Sequence, residues 1–349
     1  MADRVSGVPL GSNPPATAPE VRVGSAPKRT RPVTAAGVGD LIYSGITFLA
    51  SLSIFAIILW LLWQLVSASQ LSIHHSGWSF ITGSDWNETT NSFHAKPFIF
   101  GTLFSSFIAL VLAVPVSIGA AIFLSELAPR WIRTPATFLI ELLAAIPSVI
   151  YGLWGIFILI PFLKVAVVAP VEKADLAHKK IIGGLFEGQS AGYSMLAAGM
   201  LLAIMVIPFI TAVTRDILRA IPRSQREGSY ALGATQWETI SKVVIPYAKS
   251  GIIGAIVLGL GRALGETMAV TMVIGNQSPN TASGISFSLL SSGYTMSSVL
   301  ANKFNEASPG LNYSALVEIA LVLFCVTILV NIGARLLVFY TAKDVQGRK

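Results

Sequence analysis

Arg262 and Glu266 stand four residues apart inside an otherwise apolar stretch, Gly251 to Gly275. A guanidinium offers planar, paired donors that match phosphate oxygens. A carboxylate beside it can neutralise it while no anion is present. On an unbroken helix the i, i+4 spacing puts both groups on one face. An ionisable side chain at the centre of a membrane-spanning helix costs roughly 2.5 to 3.5 kcal/mol on the lowest scales, so each needs a partner or a task. Two readings follow: a pair that meets an anion in transit, or an intrahelical ion pair that only stabilises its span.

The elements that carry such a pair must cross a membrane. Hydrophobic residues make up 53% of the 349 and charged residues only 12%, with a mean hydropathy of +0.70, which excludes an ordinary soluble domain. The expected class is all-α and polytopic. Crossing a hydrocarbon layer of about 30 Å takes about 20 apolar residues, and six runs qualify: Leu41 to Val66, Phe98 to Leu124, Thr134 to Leu163, Tyr193 to Val213, Gly251 to Gly275 and Ala315 to Ile332. Counted from Gly251 at roughly 1.5 Å per residue, Arg262 lies about 16 Å along its helix, near mid-bilayer. Gly261 and Gly265 form a Gly-x-x-x-Gly step beside the pair, which lets another helix come close. Pro115, Pro147 and Pro208 fall inside apolar runs and should bend them. Glu141 and Glu318 lie nearer the membrane faces and are expected to snorkel or pair locally.

Residues 1–35 are of another kind, with Pro9, Pro14, Pro15, Pro19, Pro27 and Pro32 among Ser, Ala and Gly. They read as a disordered tail with no apolar core of a signal peptide. Its basic residues, including Arg22, Lys28, Arg29 and Arg31, place it in the cytoplasm by the positive-inside rule, and six spans return Arg335, Lys343, Arg348 and Lys349 to the same side. Arg130, Arg133, Arg215, Arg219, Arg223, Arg226, Lys242 and Lys249 fit inner connections. The 164–191 connection fits badly, because it should be external yet holds Lys164, Lys173, Lys179 and Lys180, offset by Glu172, Asp175 and Glu187. The net charge of +7 follows from these flanks and does not point to nucleic acid. Cys325 is alone, and His74, His75, His94 and His178 lie outside the spans without metal spacing, so neither a metal nor a cofactor is expected.

The connection Pro222 to Pro246 carries a denser signal. Ser224 with Glu227, and Thr235 with Glu238, have the spacing of two capping boxes, and Gly233 between them suits the left-handed close of a helix. Two short helices set at an angle are expected there. Tyr230, Leu232 and Trp237 supply apolar knobs beside charge, which suits docking on a partner or anchoring in the membrane interface.

Glu227, Gly228, Ser229, Gly233 and the close Val243-Val244-Ile245-Pro246 resemble the EAA loop of ABC importer permeases, with Gly228 and Ser229 in place of two Ala and Ile245 in place of Leu. Three further segments, Pro115 to Pro129, Ile146 to Gly152 and Gly261-Arg-Ala-Leu-Gly-Glu-Thr-Met-Ala269, are similar to the C-type permease subunit of the phosphate-specific (Pst) importers. The likeness runs over about residues 40 to 340. It implies a type I importer permease (MetI-like) fold over 36–349, in a bacterial inner membrane. It also implies coupling through Glu227, Gly228, Ser229, Gly233 and Pro246, and a substrate path past Arg262 and Glu266. The implied partners are a second, non-identical permease, two ATPase subunits and an extracytoplasmic phosphate-binding protein. Phosphate would meet Arg262 as its protonated anion and give a hydrogen bond to Glu266, which fully deprotonated sulfate cannot do.

Other classes compete less well. An importer permease for another anion shares all these features. A secondary transporter or channel would need no such loop and would often show inverted repeats, which are not evident. A membrane enzyme would need a nucleophile with a base, or a G-x-x-x-x-G-K-[ST] loop for ATP, and the chain has neither. No catalytic residue is assigned, and ATP hydrolysis is expected in a separate chain.

Overall fold

A computed structural model describes residues 35–173, 192–277 and 288–346. Residues 1–34 of the expected tail, and 174–191 of the ill-fitting connection with Lys179, Lys180 and His178, lie outside the described residues. By packing, the chain divides into Met1–Ile58 and Leu59–Lys349. The described part of the first unit is the opening of helix α1 (Ala35–Ser76). There Thr47 donates to Tyr43 O at 2.8 Å and Ser51 to Thr47 O at 2.9 Å. Turning hydroxyls back on the preceding turn lets polar residues sit in an apolar helix.

Among the described residues six helices are long and apolar enough to cross a membrane, the number the hydropathy pattern requires. After α1 they are α3 (Lys96–Leu127), α5 (Ser148–Lys173), α6 (Met195–Ala220), α8 (Gln236–Gly265) and α11, whose apolar part is Leu311–Phe339 of Leu311–Gln346. Shorter helices lie between them: α2 (Ser79–Thr82), α4 (Arg130–Ala145), α7 (Arg223–Ala231), α9 (Met268–Val273) and α10 (Met296–Lys303).

The third span differs from the expectation of Thr134 to Leu163. Pro147 does not bend a continuous helix; α4 ends at Ala145, Ile146 and Pro147 are extended (ψ 132° and 136°), and the span begins at Ser148. The reason is local, because the ring of Pro147 drives the residue before it out of helical geometry. Helix α4 is instead two-faced: Ile132, Ala136, Ile140 and Ala144 are half-buried, while Trp131, Phe138 and Leu139 are exposed. Pro115 and Pro208, by contrast, do lie inside continuous helices.

The most extensive helix pairing joins α3 to α6. Ala109 and Ala113 let α6 approach closely, and Leu201, Leu202, Met205, Val206 and Ile210 fill the seam with Val270 and Val273 of α9. Next to the two prolines, Ser117 donates to Ile207 O at 3.2 Å and Thr211 donates to Ser117 O at 3.4 Å. Polar cross-bonds of this kind hold helices together where lipid offers no hydrophobic drive.

The end of the bundle opposite Pro222–Pro246 carries structure that the all-α reading lacks. Strands β1 (Trp86–Asn87) and β2 (Ser92–Phe93) pair antiparallel, turned by Asn91 in the left-handed region (φ 53°). Trp86 meets Phe93 and Phe98 edge-on at 4.8 and 5.3 Å, and Phe98 meets Tyr294 at 5.6 Å. Beneath this hairpin runs a strap from Ser288 to Thr295. It takes N–H bonds from Met195 to Ser291 O (3.0 Å) and from Leu196 to Leu289 O (2.9 Å), and gives one from Gly293 to Ile274 O (3.1 Å). The strap then feeds α10, whose first N–H, from Met296, is accepted by Thr102 Oγ1 of α3 at 3.0 Å.

Candidate functional site

Arg262 and Glu266 are not on one helix. Helix α8 stops at Gly265, Glu266 is extended (φ −71°, ψ 127°), and α9 starts at Met268. The expected shared face is therefore lost. They form no ion pair with each other or with any described residue.

Glu266 has found better company. Its Oε1 accepts the N–H of Ala269 at 3.2 Å, so the carboxylate caps the start of α9, where open N–H groups and the helix dipole favour negative charge. Its own carbonyl accepts from Ser297 Oγ at 2.8 Å, its N–H reaches Ala263 O at 3.4 Å, and Thr267 Oγ1 donates to Gly265 O at 3.3 Å. Broken backbone at membrane depth survives only when its polar groups are satisfied by protein in this way. Thr271 donates to Ser298 at 3.0 Å and completes the tie between α9 and α10.

Arg262, in the last turn of α8, has no counter-charge among the described residues. Its guanidinium lies over the Phe209 ring, 5.6 Å from the centroid, and its buried Nε has no hydrogen-bond partner. The glycine step divides: a side chain at Gly261 would stand 3.8 Å from Asn331 of α11, whereas Gly265 faces open space. A half-exposed cation with unused donors, backed by an aromatic face, can take an oxyanion.

Of the other two carboxylates, expected to snorkel or pair locally, Glu141 lies outside the spans on α4 and is paired, whereas Glu318 is buried. Glu141 of α4 accepts from Arg215 Nη2 of α6 at 3.1 Å, and Arg215, 4% exposed, also binds Asp216 at 2.8 Å. Arg215 is thus part of a span, not of the loop that follows. Glu318 is 6% exposed in α11, facing Ser72 of α1. Close by, Ser314 accepts the N–H of Ser72 at 3.1 Å and donates to Ala68 O at 2.9 Å.

At the Pro222–Pro246 loop one expected capping box is present and one is not. Thr235 and Glu238 exchange both bonds at the start of α8. Ser224 does not cap, because Pro222 occupies the cap position and α7 is already helical from Arg223. Gly233 has φ +83°, and its N–H bonds Tyr230 O at 2.9 Å while that of Ala234 bonds Ser229 O at 3.2 Å. Those two bonds are a Schellman close, which a side chain at Gly233 would strain. The second helix is not a separate short one. It runs on through a π turn, Ile240–Val244, into the span, and the widened turn accommodates Pro246, which has no N–H and would crowd a tight turn before it.

Ser229 bonds Thr239 at 3.0 Å and sets the angle between the two pieces. Ser229, Leu232, Gly233, Ala234, Glu238, Lys242 and Val243 line a groove of about 370 Å³. Beside it Leu232 is 91% exposed and Trp237 65%, and Glu227, Gly228 and Pro246 are exposed as well. Sequence reasoning missed Arg226, which reaches Glu126 at the end of α3 with two bonds, 2.7 and 3.1 Å. No spacing rule joins residues so far apart along the chain.

Residues 113–346 match the family of binding-protein-dependent transport system inner membrane components. The chain is 45% identical over 310 residues to a phosphate transport system permease protein PstC of Pasteurella multocida, covering 89% of this chain and 94% of that one. It is 43% identical to the PstC of Mesorhizobium japonicum (85% and 89% covered) and 37% identical to a PstC 2 of Mycobacterium tuberculosis (81% and 86%). Among solved structures it is similar in fold to the MetNI methionine ABC transporter, with a TM-score of 0.51 at 18% identity over 70% of this chain and 94% of that one. A bacterial ABC transporter for import of alginate gives 0.52 at 14% identity over 86% and 98%.

Proposed function

Because the chain belongs to the family of binding-protein-dependent transport system inner membrane components, and is thus a multi-pass membrane protein with the fold of an ABC importer permease, we propose that it is the phosphate-conducting permease subunit of such an importer. The observation that carries this reading is the unneutralised Arg262, backed by Phe209, while the nearby Glu266 is occupied in capping α9. A carboxylate paired to Arg262 would have to be displaced by substrate. Here the guanidinium is ready for a tetrahedral oxyanion. The Oε2 of Glu266 has no hydrogen bond among the described residues and can accept one from protonated phosphate, which sulfate could not supply. The relatives named for phosphate transport support the choice of anion.

The chain is a transport subunit. ATP hydrolysis belongs to partner chains, two ATPase subunits that dock on Leu232, Trp237 and the groove between α7 and α8. A second, non-identical permease completes the path, an extracytoplasmic phosphate-binding protein delivers the anion, and both termini lie in the cytoplasm with the loop.

Uptake of labelled phosphate and sulfate by the reconstituted complex tests the anion site. Arg262→Lys should lose most phosphate uptake and Glu266→Gln should lose preference for phosphate over sulfate, at normal abundance and assembly. Unchanged uptake and preference in both variants would sink the site. For docking, Glu227→Arg and Gly233→Trp should lose copurification of the ATPase, and retained binding and coupling in both would overturn that assignment.

A further inference from the structure

The Pro222–Pro246 loop is tied to the bundle by more than its chain ends. The Arg226 guanidinium forks onto both oxygens of Glu126, Nη2 to Oε1 at 2.7 Å and Nε to Oε2 at 3.1 Å. The same group donates from Nη1 to Ile221 O and from Nη2 to Leu218 O, each at 2.8 Å, so it also binds carbonyls at the end of α6. One side chain thus holds the ends of α3 and α6 together from within α7. The side chains of Arg226 and Glu126 are 18% and 11% exposed, so water and salt screen the pair poorly. Gln236, at the start of α8, donates to Glu126 O at 3.2 Å, so both halves of the loop grip one residue.

Without this clasp, the chain link between α6 and α7 is Ile221 and Pro222, both extended (ψ 129° and 137°). Extended residues outside any hydrogen-bonded ladder behave as a hinge and absorb displacement. The helices that Arg226 grips do lead somewhere. Helices α3 and α6 form the most extensive pairing in the molecule, and at their far ends Thr102, Met195 and Leu196 hold the 288–295 strap and α10. Ser297 of α10 in turn bonds the Glu266 carbonyl.

We infer that Arg226 is a positioning residue for energy coupling: by clasping Glu126 and the α6 terminus it makes the loop and the α3–α6 pair move as one body. The inference rests on the reading that the loop docks the ATPase. Lysine cannot replace the fork, because a single ammonium on a flexible stem does not span a carboxylate and two carbonyls in fixed geometry.

The test uses the complete complex with its partner chains in proteoliposomes, reading ATPase copurification, ATP hydrolysis and phosphate moved per ATP. Arg226→Gln and Arg226→Lys should keep the ATPase bound and active while phosphate per ATP falls about tenfold, within the usual range of coupling between distant sites. Glu126→Cys with Arg226→Cys, in a Cys325→Ser background, should be equally uncoupled and should regain coupling when a short thiol cross-linker ties the two positions. A ratio unchanged in Arg226→Gln overturns the proposal, as does a double-cysteine complex that cross-linking fails to recouple. Loss of ATPase binding in Arg226→Gln alone would instead assign Arg226 to docking, which overturns the clasp and leaves the docking surface standing. ATPase retained and coupled in Glu227→Arg and Gly233→Trp would remove the reading beneath both.

Discussion

Two arginine–glutamate pairs make opposite use of distance. Arg262 and Glu266 are four residues apart and do not bond, whereas Arg226 and Glu126 are a hundred apart and form a forked ion pair. The difference lies in what else each carboxylate can reach. Glu266 stands at the start of α9, where an N–H and the helix dipole compete for it. Glu126, in the π turn that ends α3, has no such claim on it, and Arg226 arrives with a planar fork. On the readings proposed above, one pair is open to a ligand and the other is closed for mechanics.

The contrast can be broken first at its open member. Arg262→Ala should cut phosphate uptake by about 100-fold, the scale of removing one preorganised donor to an oxyanion, with little change in thermal unfolding of the detergent-solubilised chain. A large loss of stability with uptake retained would mean that Arg262 is structural. Arg226→Ala should behave inversely on stability, costing about 2 kcal/mol in unfolding, below the full cost of breaking a deeply buried pair because this one is partly exposed. Glu266→Ala should cost about 1 kcal/mol through the lost cap of α9, and Glu266→Gln, whose amide oxygen still accepts, much less. Equal losses in the two would show that charge, not capping, holds Glu266. Gly233→Ala should cost about 1 kcal/mol through its left-handed backbone, since open space surrounds it.

The smallest effect is in the hairpin, a control outside both pairs. Ser92 donates to Asp85 at 2.5 Å, and His94 lies 2.9 Å from the same carboxyl, and these hold Asp85 below the usual carboxylate range. Its stabilisation is therefore full above the ordinary value of about 3.9 and is lost as pH falls through the lowered one. Ser92→Ala should raise the pH of acid-induced exposure of Trp86, read by fluorescence, without touching either pair. A shift in the opposite direction would contradict the assignment.

Much of the fold was legible from composition. The count of spans, the cap by Thr235, the left-handed Gly233 and the exposed Leu232 and Trp237 agree with local pattern, because each depends on neighbours within a turn or two. The errors share a cause as well. Hydropathy joined α4 to the third span because a window of apolar residues does not register that Pro147 breaks a helix. No local pattern marks the strap and α10, which are ordered by bonds to Met195, Leu196 and Thr102, far away in the chain. Ser224 failed as a cap because a proline had already set the backbone.

By itself the sequence determined which solvent surrounds this chain, how many times it can cross it, and which charges have no ordinary reason to be there. Those are properties of residue type and of spacings under about ten positions, where hydrophobic transfer and backbone geometry act locally. Only the tertiary structure decided which charges pair. It ended α8 at Gly265, gave Glu266 to α9, left Arg262 facing Phe209, and carried Arg226 across to Glu126. An ion pair forms with whichever partner geometry brings within reach, and that is a property of packed helices.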